Sequence, residues 1–540
     1  MSAVPIAARS AVLRQLQKIE RAFDRAFAAP GNPWRHLGAL GFFLFWVVAA
    51  SGIYLYIFFD TSVAGAYRSV ESLTRDQWYA GGVMRSLHRY ASDAFVVVVA
   101  LHLVKEFLHR RYAGFRWFSW LTGVPLVWFL FASGIGGYWL VWDELAQFIA
   151  IATTEWLDWL DFFGEPLARN FLTAQNVSSR FFTLLVFLHI GIPLALLLGM
   201  FIHVQRVSQP DTNPARALGW GTFAALLALS LAVPAVSMEP AELGVMPGRL
   251  EFDWFYLFAY PLLYSWSPAA VWALMGGASA ALAALPLLAL ARATVVAQVD
   301  IDNCNGCARC VADCPYEAVV MQPRLPGKPG QQHAVVIAGL CASCGICAGA
   351  CPSSTPFRSN ERLATGIDMP QFTVHRLRAQ LETALARLTG GRRIVVFGCD
   401  CAADVTVLAA PQVAAFSLLC AGQLPPSFVE YALRSGADGI LITGCRTGDC
   451  QYRFGNTWTA ERLARGREPH LRANVASQRV RLAWYGAGEE AALGRELERF
   501  HGELSALPRS VGTRTSRSKG VHGNGEPGAT RACKDGARVG

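Results

Sequence analysis

The chain has 540 residues, of which 53% are hydrophobic and 16% are charged. Its length suits about three domains, and its formal net charge of +9 comes from residues that flank apolar segments and from a basic tail. Because no basic stripe is interleaved with stacking aromatic residues, the charge does not indicate a nucleic-acid partner. All 14 cysteines lie between Cys304 and Cys533, and most are two or three residues apart. This spacing favours metal ligation over the disulfides of a secreted scaffold.

Residues 1–33 predict an amphipathic helix. Apolar and basic residues recur there at helical spacing, namely Val12, Leu13, Leu16, Ile19, Phe23 and Phe27 on one side and Arg14, Lys18, Arg21 and Arg25 on the other. A helix of this kind is expected to lie on a membrane surface.

Residues 34–293 form a predicted membrane domain. Its apolar runs are long enough, at about 20 residues, to cross a bilayer. The six predicted spans are 36–59, 83–107, 117–142, 181–204, 218–237 and 268–292. Six crossings place both termini on one side. The N-terminal arm and the loop after the second span are basic, whereas the loop after the third is acidic. The positive-inside rule therefore places the termini and the cysteine-rich half in the cytoplasm of a bacterium, below its inner membrane.

Two histidine pairs lie on the second and fourth predicted spans, and the members of each pair are fourteen residues apart: His88 and His102, then His189 and His203. Fourteen residues make close to four helical turns, so both members lie on one helix face, about 21 Å apart along the axis. The predicted topology brings His88 level with His189 near the outer side, and His102 level with His203 near the cytoplasmic side. Facing imidazoles at two depths suit two bis-histidine haems. Polar residues satisfied between helices are the alternative, although ionisable groups within spans are costly.

Glycines of the first span, Gly38 and Gly52, would let that helix approach a flat macrocycle, although simple helix packing explains them equally well. No C-x-x-C-H motif occurs, so the haems would be b-type and non-covalent.

The stretch Arg85-Ser86-Leu87-His88 resembles the R-x-x-H motif of the cytochrome b family of quinol-oxidising complexes. The stretch from Gly137 to Asp143 resembles that family's GY-x-LPWD motif, with Val141 in place of the proline. The resemblance covers about residues 34–293. It implies that Arg85 meets a haem propionate, and it places Tyr138 and Trp142 among the cofactor-binding residues.

The segment from Phe252 to Phe258 lies where this family has PEWYFLF, the loop that lines the outer quinol site. By this resemblance Asp253 stands for the proton-accepting glutamate, and Trp254 and Tyr256 complete the quinone site. An aromatic belt at the membrane interface is the alternative for this segment.

Two cysteine runs predict two [4Fe-4S] clusters. Each has the spacing C-x2-C-x2-C-x3-C-P, and the fourth cysteine of each run ligates the other cluster. The first cluster would be held by Cys304, Cys307, Cys310 and Cys351, and the second by Cys341, Cys344, Cys347 and Cys314. Residues 298–357 resemble the two-cluster bacterial ferredoxins, interrupted by a turn-rich insert at 323–332. A zinc site needs only two C-x2-C pairs and does not account for the doubled run.

Residues 392–503 predict a small α/β domain with a parallel sheet, because strand signals at 394–397 and 439–443 flank a helix signal at 428–434. Five cysteines lie at or near strand ends, where such folds place their sites: Cys399, Cys401, Cys420, Cys445 and Cys450. Before this domain, 358–391 is predicted as a helical linker. After it, 504–540 is predicted as a disordered tail.

The C-terminal domain resembles the delta (iron–sulfur) subunit of methyl-viologen-reducing hydrogenase over residues 436–456. That family carries a [2Fe-2S] cluster and exchanges electrons with a flavoprotein of the heterodisulfide-reductase type. Two positions depart from its pattern: Cys399-Asp400-Cys401 is one residue shorter than C-x-x-C, and Gln451 replaces a histidine. Four of the five cysteines would hold the cluster, and the sequence leaves open which four. An inert adapter with buried cysteines is the alternative.

The predicted architecture is therefore a six-helix transmembrane cytochrome b bundle, a 2[4Fe-4S] ferredoxin-type α+β domain and a small α/β domain. It predicts electron transfer between a cytoplasmic flavoprotein or ferredoxin-type partner and the quinone pool. The cofactors would be two haem b, two [4Fe-4S] clusters and a [2Fe-2S] cluster. A membrane anchor or assembly scaffold without quinone chemistry is the alternative function. A redox sensor is disfavoured because no output domain is evident.

Overall fold

The computed structural model describes residues 6–161, 167, 172–173, 177–289, 295–324, 331–358 and 363–509. The chain divides into two compact units. The helical unit comprises residues 19–205 and 210–291, and the cysteine unit comprises residues 1–18 and 206–209 and the chain from 292 onwards. Cys533, most of the predicted insert at 323–332 and the end of the sixth predicted span lie outside the described residues.

Helices make up most of the described residues before position 290. They are α1 Ile6–Gly31, α2 Leu37–Phe58, α3 Ala66–Arg75, α4 Val83–Leu108, α5 Trp117–Val141, α6 Glu144–Asp158, α7 Ser179–Val204, α8 Arg216–Ala232, α9 Tyr260–Ser265 and α10 Pro268–Ala289. The predicted N-terminal helix thus forms. Its position on a membrane surface stays a prediction.

Each of the six predicted spans coincides with a helix. Within the described residues, four helices are long and apolar enough to cross a membrane by length and composition: α2, α5 with the turn before it, α7 and α10. Helix α4 has 26 residues but includes five charged ones, Arg85, Arg89, Asp93, Lys105 and Glu106. Helix α8 has 17 residues. Six crossings therefore stay a prediction.

The core of the helical unit lies where α2 packs against α4 and α5 packs against α7. Large side chains from these helices are buried together, among them Leu44, Phe95, Leu130 and Phe182. Asp143 caps α6, because its side chain accepts a hydrogen bond of 2.9 Å from the Ala146 N–H. The packed helices hold the histidine-bearing faces of α4 and α7 inside the unit.

The first part of the cysteine unit has two small antiparallel sheets. Strand β1 Gln298–Val299 pairs with β4 Ile367–Asp368, and β2 Val319–Pro323 pairs with β3 Gln332–Val336. The short helices α11 Arg309–Ala312 and α12 Ile346–Ala350 each follow a cysteine loop. Because β1 pairs with β4, this fold continues past residue 357, where the sequence suggested its end.

The second part has a four-stranded parallel sheet in the order β6-β5-β7-β8. Its strands are β5 Ile394–Cys399, β6 Val413–Leu418, β7 Gly439–Gly444 and β8 Val480–Trp484. Helices α13 Val374–Arg387, α14 Pro426–Arg434, α15 Gly455–Leu463 and α16 Glu490–Ser505 complete it. Every residue of β5 and β7 is buried, as expected for central parallel strands covered on both faces.

Both faces of this sheet are packed. Val395 and Phe397 face a core that continues into the ferredoxin-like part, whereas Ile394 and Val396 face α16. Helix α13 lies in the predicted linker, yet its Leu377, Leu381 and Leu385 are buried in the first of these cores. The segment 374–387 is therefore a packed element of the fold.

Candidate redox-cofactor sites

The two histidines of the outer pair lie opposite each other inside the helical unit, with their ring planes inclined at 66°. His88 on α4 and His189 on α7 have ring centroids 6.3 Å apart. Two imidazole nitrogens bound at about 2 Å on opposite sides of one iron would put the ring centroids about 6 Å apart. The observed separation therefore fits a six-coordinate haem iron.

Hydrogen bonds orient both rings of this pair. His88 Nδ1 lies 3.0 Å from the Val48 carbonyl, and His189 Nδ1 lies 3.0 Å from the Ser133 carbonyl. Because a carbonyl oxygen only accepts, each Nδ1 carries the proton and donates it. The Nε2 lone pair of each ring is thereby left for a metal.

The inner pair, His102 and His203, lies on the same two helices as the outer pair, fourteen residues further along each. The two side chains lie close enough to interact electrostatically. His203 Nδ1 lies 3.2 Å from the Thr122 hydroxyl, and the Ser119 hydroxyl donates to the His203 carbonyl at 3.2 Å. Helix α5 therefore fixes the position of His203 from two of its polar side chains.

A glycine lies against each of the four histidine rings. A Cβ placed at Gly52 would come within 2.9 Å of the His88 ring, and one at Gly137 within 3.0 Å of the His189 ring. The corresponding distances are 3.6 Å from Gly38 to His102 and 3.2 Å from Gly123 to His203. Gly123 and Gly137 were not predicted as site residues, although their fourteen-residue spacing repeats that of Gly38 and Gly52 and of the histidines.

The predicted propionate residue Arg85 has polar partners of its own. Its guanidinium lies 3.4 Å from the Glu71 carboxylate, donates to the Ser237 hydroxyl at 2.8 Å and contacts Thr74. Trp142 is buried and ends α5 in a left-handed conformation, with its ring 5.0 Å from that of Phe182. Trp142 therefore has a packing role in this structure.

Two of the three predicted quinone-site residues lie together in the structure, and the third does not. Asp253 and Tyr256 are buried near each other, whereas Trp254 is 66% exposed. The Tyr138 hydroxyl donates to the Asp253 carboxylate. The Tyr256 ring lies so close to Gly134 that a Cβ there would overlap it. The buried Asp253 and Tyr256 and the half-buried Tyr138 therefore form one group, which does not include Trp254.

Two cavities in the cysteine unit match the two predicted [4Fe-4S] ligand sets. The first is lined by Cys304, Cys307, Cys310 and Cys351. The second is lined by Cys314, Cys341, Cys344 and Cys347. Each cavity thus takes its fourth thiol from the other run. Among the described residues, no three His, Cys, Asp or Glu side chains are arranged to hold a single ion, whereas a cluster spaces its thiolates around several irons.

The backbone of the two cysteine loops repeats. In the first loop Gly306 and Ala308 have positive φ angles of 71° and 57°, and in the second Ser343 and Gly345 have φ angles of 60° and 75°. These left-handed residues turn each loop so that successive thiols point into one cavity. Burial raises the pKa of the Cys310 thiol to about 12. A bound iron would supply the charge that stabilises its thiolate.

Four of the five C-terminal cysteines form a buried quartet: Cys399, Cys420, Cys445 and Cys450. The Cys399 thiol contacts those of Cys420 and Cys445, and the Cys450 thiol contacts the same two. They follow the carboxyl ends of β5, β6 and β7, as expected of a parallel-sheet site.

The fifth cysteine, Cys401, contacts two members of this quartet through its backbone. Its N–H donates to the Cys399 sulfur at 3.4 Å, and its carbonyl accepts from the Cys445 thiol at 3.7 Å. The Cys401 sulfur is in a disulfide bond that does not involve the quartet.

Helix α15 begins against the quartet. A Cβ at Gly455 would lie 2.1 Å from the Cys420 sulfur and 3.4 Å from the Cys450 sulfur. The next residue, Asn456, donates to the carbonyls of Cys445 and Arg446, both at 3.2 Å. The glycine gives the sulfurs room, and the amide holds the loop that carries Cys445.

The quartet lies beside the second ferredoxin-like cavity. A Cβ at Gly349, in α12, would lie 2.1 Å from the Gly422 carbonyl oxygen, just after Cys420. Arg462, which is 1% exposed, donates to that same carbonyl at 2.8 Å and forms an ion pair with Asp313 of the first cysteine run. The two halves of the cysteine unit are thus packed backbone to backbone.

These sites define a class of protein: a transmembrane electron-transfer protein with haem and iron–sulfur cofactors. Family models match in the predicted order. Cytochrome b/b6/petB matches residues 28–209, the 4Fe-4S dicluster domain matches 303–355, and the delta subunit of methyl-viologen-reducing hydrogenase matches 394–508. The three resemblances seen in the sequence are confirmed. The chain therefore has a helical cytochrome b region, then a ferredoxin-like region, then a parallel-sheet domain.

A solved structure described as "Hyperthermophilic respiratory Complex III" is similar to this chain at 19% sequence identity. The match covers 50% of this chain and 80% of that chain, with a TM-score of 0.39. A TM-score this low does not indicate a shared fold.

Proposed function

We propose that this protein carries electrons between a soluble redox partner and the quinone pool through three iron–sulfur clusters and two b haems. The observation that carries the proposal is the outer histidine pair. His88 and His189 face each other at 6.3 Å with both Nδ1 atoms bonded to carbonyls. This leaves two ligand nitrogens for one iron, and a haem held by His88 and His189 would supply one-electron transfer.

The haem sites follow from the four histidines. His88 and His189 would hold the outer haem, and His102 and His203 the inner one, with Gly38, Gly52, Gly123 and Gly137 leaving room beside the rings. When bound, the haems supply reversible one-electron chemistry. The chain's own contribution is to orient the imidazoles through the carbonyls of α2 and α5 and to bury them in an apolar bundle.

The cysteine unit would hold three clusters. The two cavities supply four thiols each for [4Fe-4S] clusters. The quartet of Cys399, Cys420, Cys445 and Cys450 would hold a [2Fe-2S] cluster, which needs four thiolates. Gly455 supports this assignment, because it leaves space at the Cys420 sulfur that a side chain would fill.

We further propose an order for the clusters. The loop after Cys420 packs against α12, which carries Cys347 of the second cavity. Tyr452 is buried within electrostatic range of Cys344 from that cavity and of Cys420 and Cys399 from the quartet. The cluster held by Cys314, Cys341, Cys344 and Cys347 would therefore be the neighbour of the quartet, and the cluster held by Cys304, Cys307, Cys310 and Cys351 would lie beyond it.

The quinone would react at the buried group around Asp253 and Tyr256. This group combines a carboxylate, two tyrosine hydroxyls and apolar walls, which are the elements of a site for a quinol headgroup. The soluble partner would be a flavoprotein, which couples two-electron to one-electron chemistry, or a ferredoxin-type protein, which passes single electrons. We propose cytoplasmic termini in a bacterial inner membrane, since the basic loops favour that orientation.

The test is an optical difference spectrum of the detergent-solubilised full-length protein, taken with a quinol analogue and then with dithionite. Haem and non-haem iron are counted in the same sample. We expect two b haems per chain, of which quinol reduces a part and dithionite reduces all. Haems that respond to dithionite but neither to quinol nor, from the pre-reduced state, to added quinone would support the membrane-anchor alternative. A sample without haem would overturn the proposal.

A further inference from the structure

Two buried carboxyl groups share one guanidinium in the helical unit. Asp93 on α4 and Asp253 in the loop before α9 are 9% and 6% exposed. Arg89 Nε lies 3.2 Å from Asp93 Oδ2, and an Arg89 terminal nitrogen lies 3.0 Å from Asp253 Oδ2. The two carboxyl groups lie within hydrogen-bonding range of each other.

Asp253 is fully engaged by donors. Oδ2 accepts from the Tyr138 hydroxyl as well as from Arg89, and Oδ1 accepts from the Phe255 N–H at 2.7 Å. A carboxyl whose two oxygens both accept hydrogen bonds, one of them from a cation, is stabilised as the anion.

Asp93 is not engaged in the same way. Its Oδ2 meets Arg89, but its Oδ1 is buried and accepts no hydrogen bond within the described part of the chain. An unbonded oxygen of a buried carboxylate is costly, and more so on a helix that lies in an apolar bundle. Protonation removes that cost, since Oδ1 then becomes a donor towards its neighbour.

The charges around the two carboxyl groups also favour one bound proton. The titratable groups that face the pair are Arg89 and Tyr90 from α4, Tyr138 from α5 and Tyr256 from the loop, whose hydroxyl lies 2.6 Å from the Ser92 hydroxyl. The tyrosines are neutral, so one cation faces two carboxylates. Ionising both of two carboxyl groups in contact costs more free energy than ionising either alone. With one bound proton, the two carboxyl groups and Arg89 together have no net charge.

We propose that Asp93 and Asp253 form a carboxyl pair that holds one exchangeable proton beside Arg89, and that Asp93 is the residue that accepts the proton of a quinol bound at the outer site. The second half of this inference rests on the proposed quinone function. In that step Asp93 first releases its own proton to water, which leaves both carboxyl groups ionised beside Arg89. An O–H bond of the quinol then breaks and an O–H bond forms at Asp93 Oδ1, while the quinolate keeps the electron pair. Asp253 then acts as a positioning residue, because it holds Arg89 and Tyr138 in place and the loop through Phe255.

The test of the pair is infrared spectroscopy of the full-length holoprotein in H₂O and in D₂O. A protonated carboxyl gives a C=O stretching band that shifts on deuteration. We expect such a band in the wild type and its loss in Asp93→Asn and in Asp253→Asn, since the remaining carboxylate is then neutralised by Arg89. The matched control is Glu71→Gln, which removes a carboxylate that pairs with two cations, Arg75 and Arg85, and should keep the band.

A second variant separates this result from misfolding. In Arg89→Gln the two carboxyls lose their cation, and we expect the band to grow. A band that persists in Asp93→Asn, or that stays unchanged in Arg89→Gln, would overturn the inference.

The quinol step has its own readout. With haem content and dithionite reduction at wild-type level, Asp93→Asn should slow haem reduction by a quinol analogue at least tenfold, whereas Asp93→Glu should restore most of the rate. Unchanged reduction in Asp93→Asn would overturn the catalytic role of Asp93 alone. A wild type that quinol does not reduce, but that shows the expected band, would contradict the proposed quinone function and leave the carboxyl pair standing.

Discussion

In the helical unit, side chains that face each other come from helices about a hundred residues apart in the chain, as His88 and His189 do. In the cysteine unit, most ligands come from tight loops with left-handed residues such as Ala308 and Ser343. The helices place a ligand by regular rise and rotation, whereas the loops place it by local backbone conformation. The helical sites therefore depend on packing between elements, and the loop sites depend on the residues between the ligands.

The largest expected effect comes from removing a histidine ligand, which should change the haem content of the helical unit and leave the cysteine unit unchanged. We expect His88→Leu to lose the outer haem and keep the inner one, because His189 alone leaves the iron one ligand short. The iron–sulfur content should not change. The measurement is the ratio of haem and of non-haem iron to protein in purified samples.

His109→Asn is the matched control for this variant. His109 directly follows α4 and bonds through Nδ1 to the Lys105 carbonyl, so it should keep both haems. A full haem complement in His88→Leu would contradict the assignment of the outer pair, and a loss of clusters would contradict the independence of the two units.

The next largest effect concerns the quartet. Cys399→Ser should abolish the cluster signal of the C-terminal domain in electron paramagnetic resonance spectra, because Cys399 contacts both Cys420 and Cys445. Cys401→Ser should keep that signal, since Cys401 contributes only backbone groups to the site. The reverse result would move Cys401 into the ligand set.

The contrast between the units also explains what the sequence could predict. The histidine pairs and the doubled cysteine runs were predicted with their partners, because helix periodicity and the loop motif both act over short spacings. The same periodicity contained Gly123 and Gly137, which lie fourteen residues apart on α5 as Gly38 and Gly52 do on α2. They were missed because a glycine in an apolar run has several structural causes.

Other features depend on tertiary structure alone. The grouping of Cys399, Cys420, Cys445 and Cys450 follows from the order of the parallel strands, which brings the ends of β5, β6 and β7 together. The grouping of Asp93 with Asp253 joins residues of two distant segments. No local pattern marks Asp93, whereas Asp253 was noticed only through the resemblance of its loop to a known motif.

A smaller effect tests whether the two halves of the cysteine unit depend on each other. Arg462 is buried between them and binds both Asp313 and the Gly422 carbonyl. Breaking a buried ion pair by removing one partner costs about 3 kcal/mol, so Arg462→Gln should lower the unfolding temperature of the cysteine unit. Magnetic coupling between the quartet cluster and its neighbour should weaken as well. The exposed Arg465→Gln should change neither quantity, and equal effects of both variants would show that Arg462 has no special role.

The smallest expected effect tests the room beside the quartet. In Gly455→Ala the new methyl group would meet the Cys420 sulfur at 2.1 Å, so the start of α15 must shift. Overpacking of this kind costs about 1–3 kcal/mol, and it should also alter the line shape of the cluster signal. Gly502→Ala is the matched control, because no atom lies within 4 Å of its added Cβ and alanine favours the helix by about 1 kcal/mol. Opposite shifts in unfolding temperature for the two variants would tie Gly455 to the sulfurs. Equal stabilisation of both variants would mean that the quartet has more space than the structure indicates. The cysteine unit would then accept a methyl group beside its sulfurs as readily as on an exposed helix.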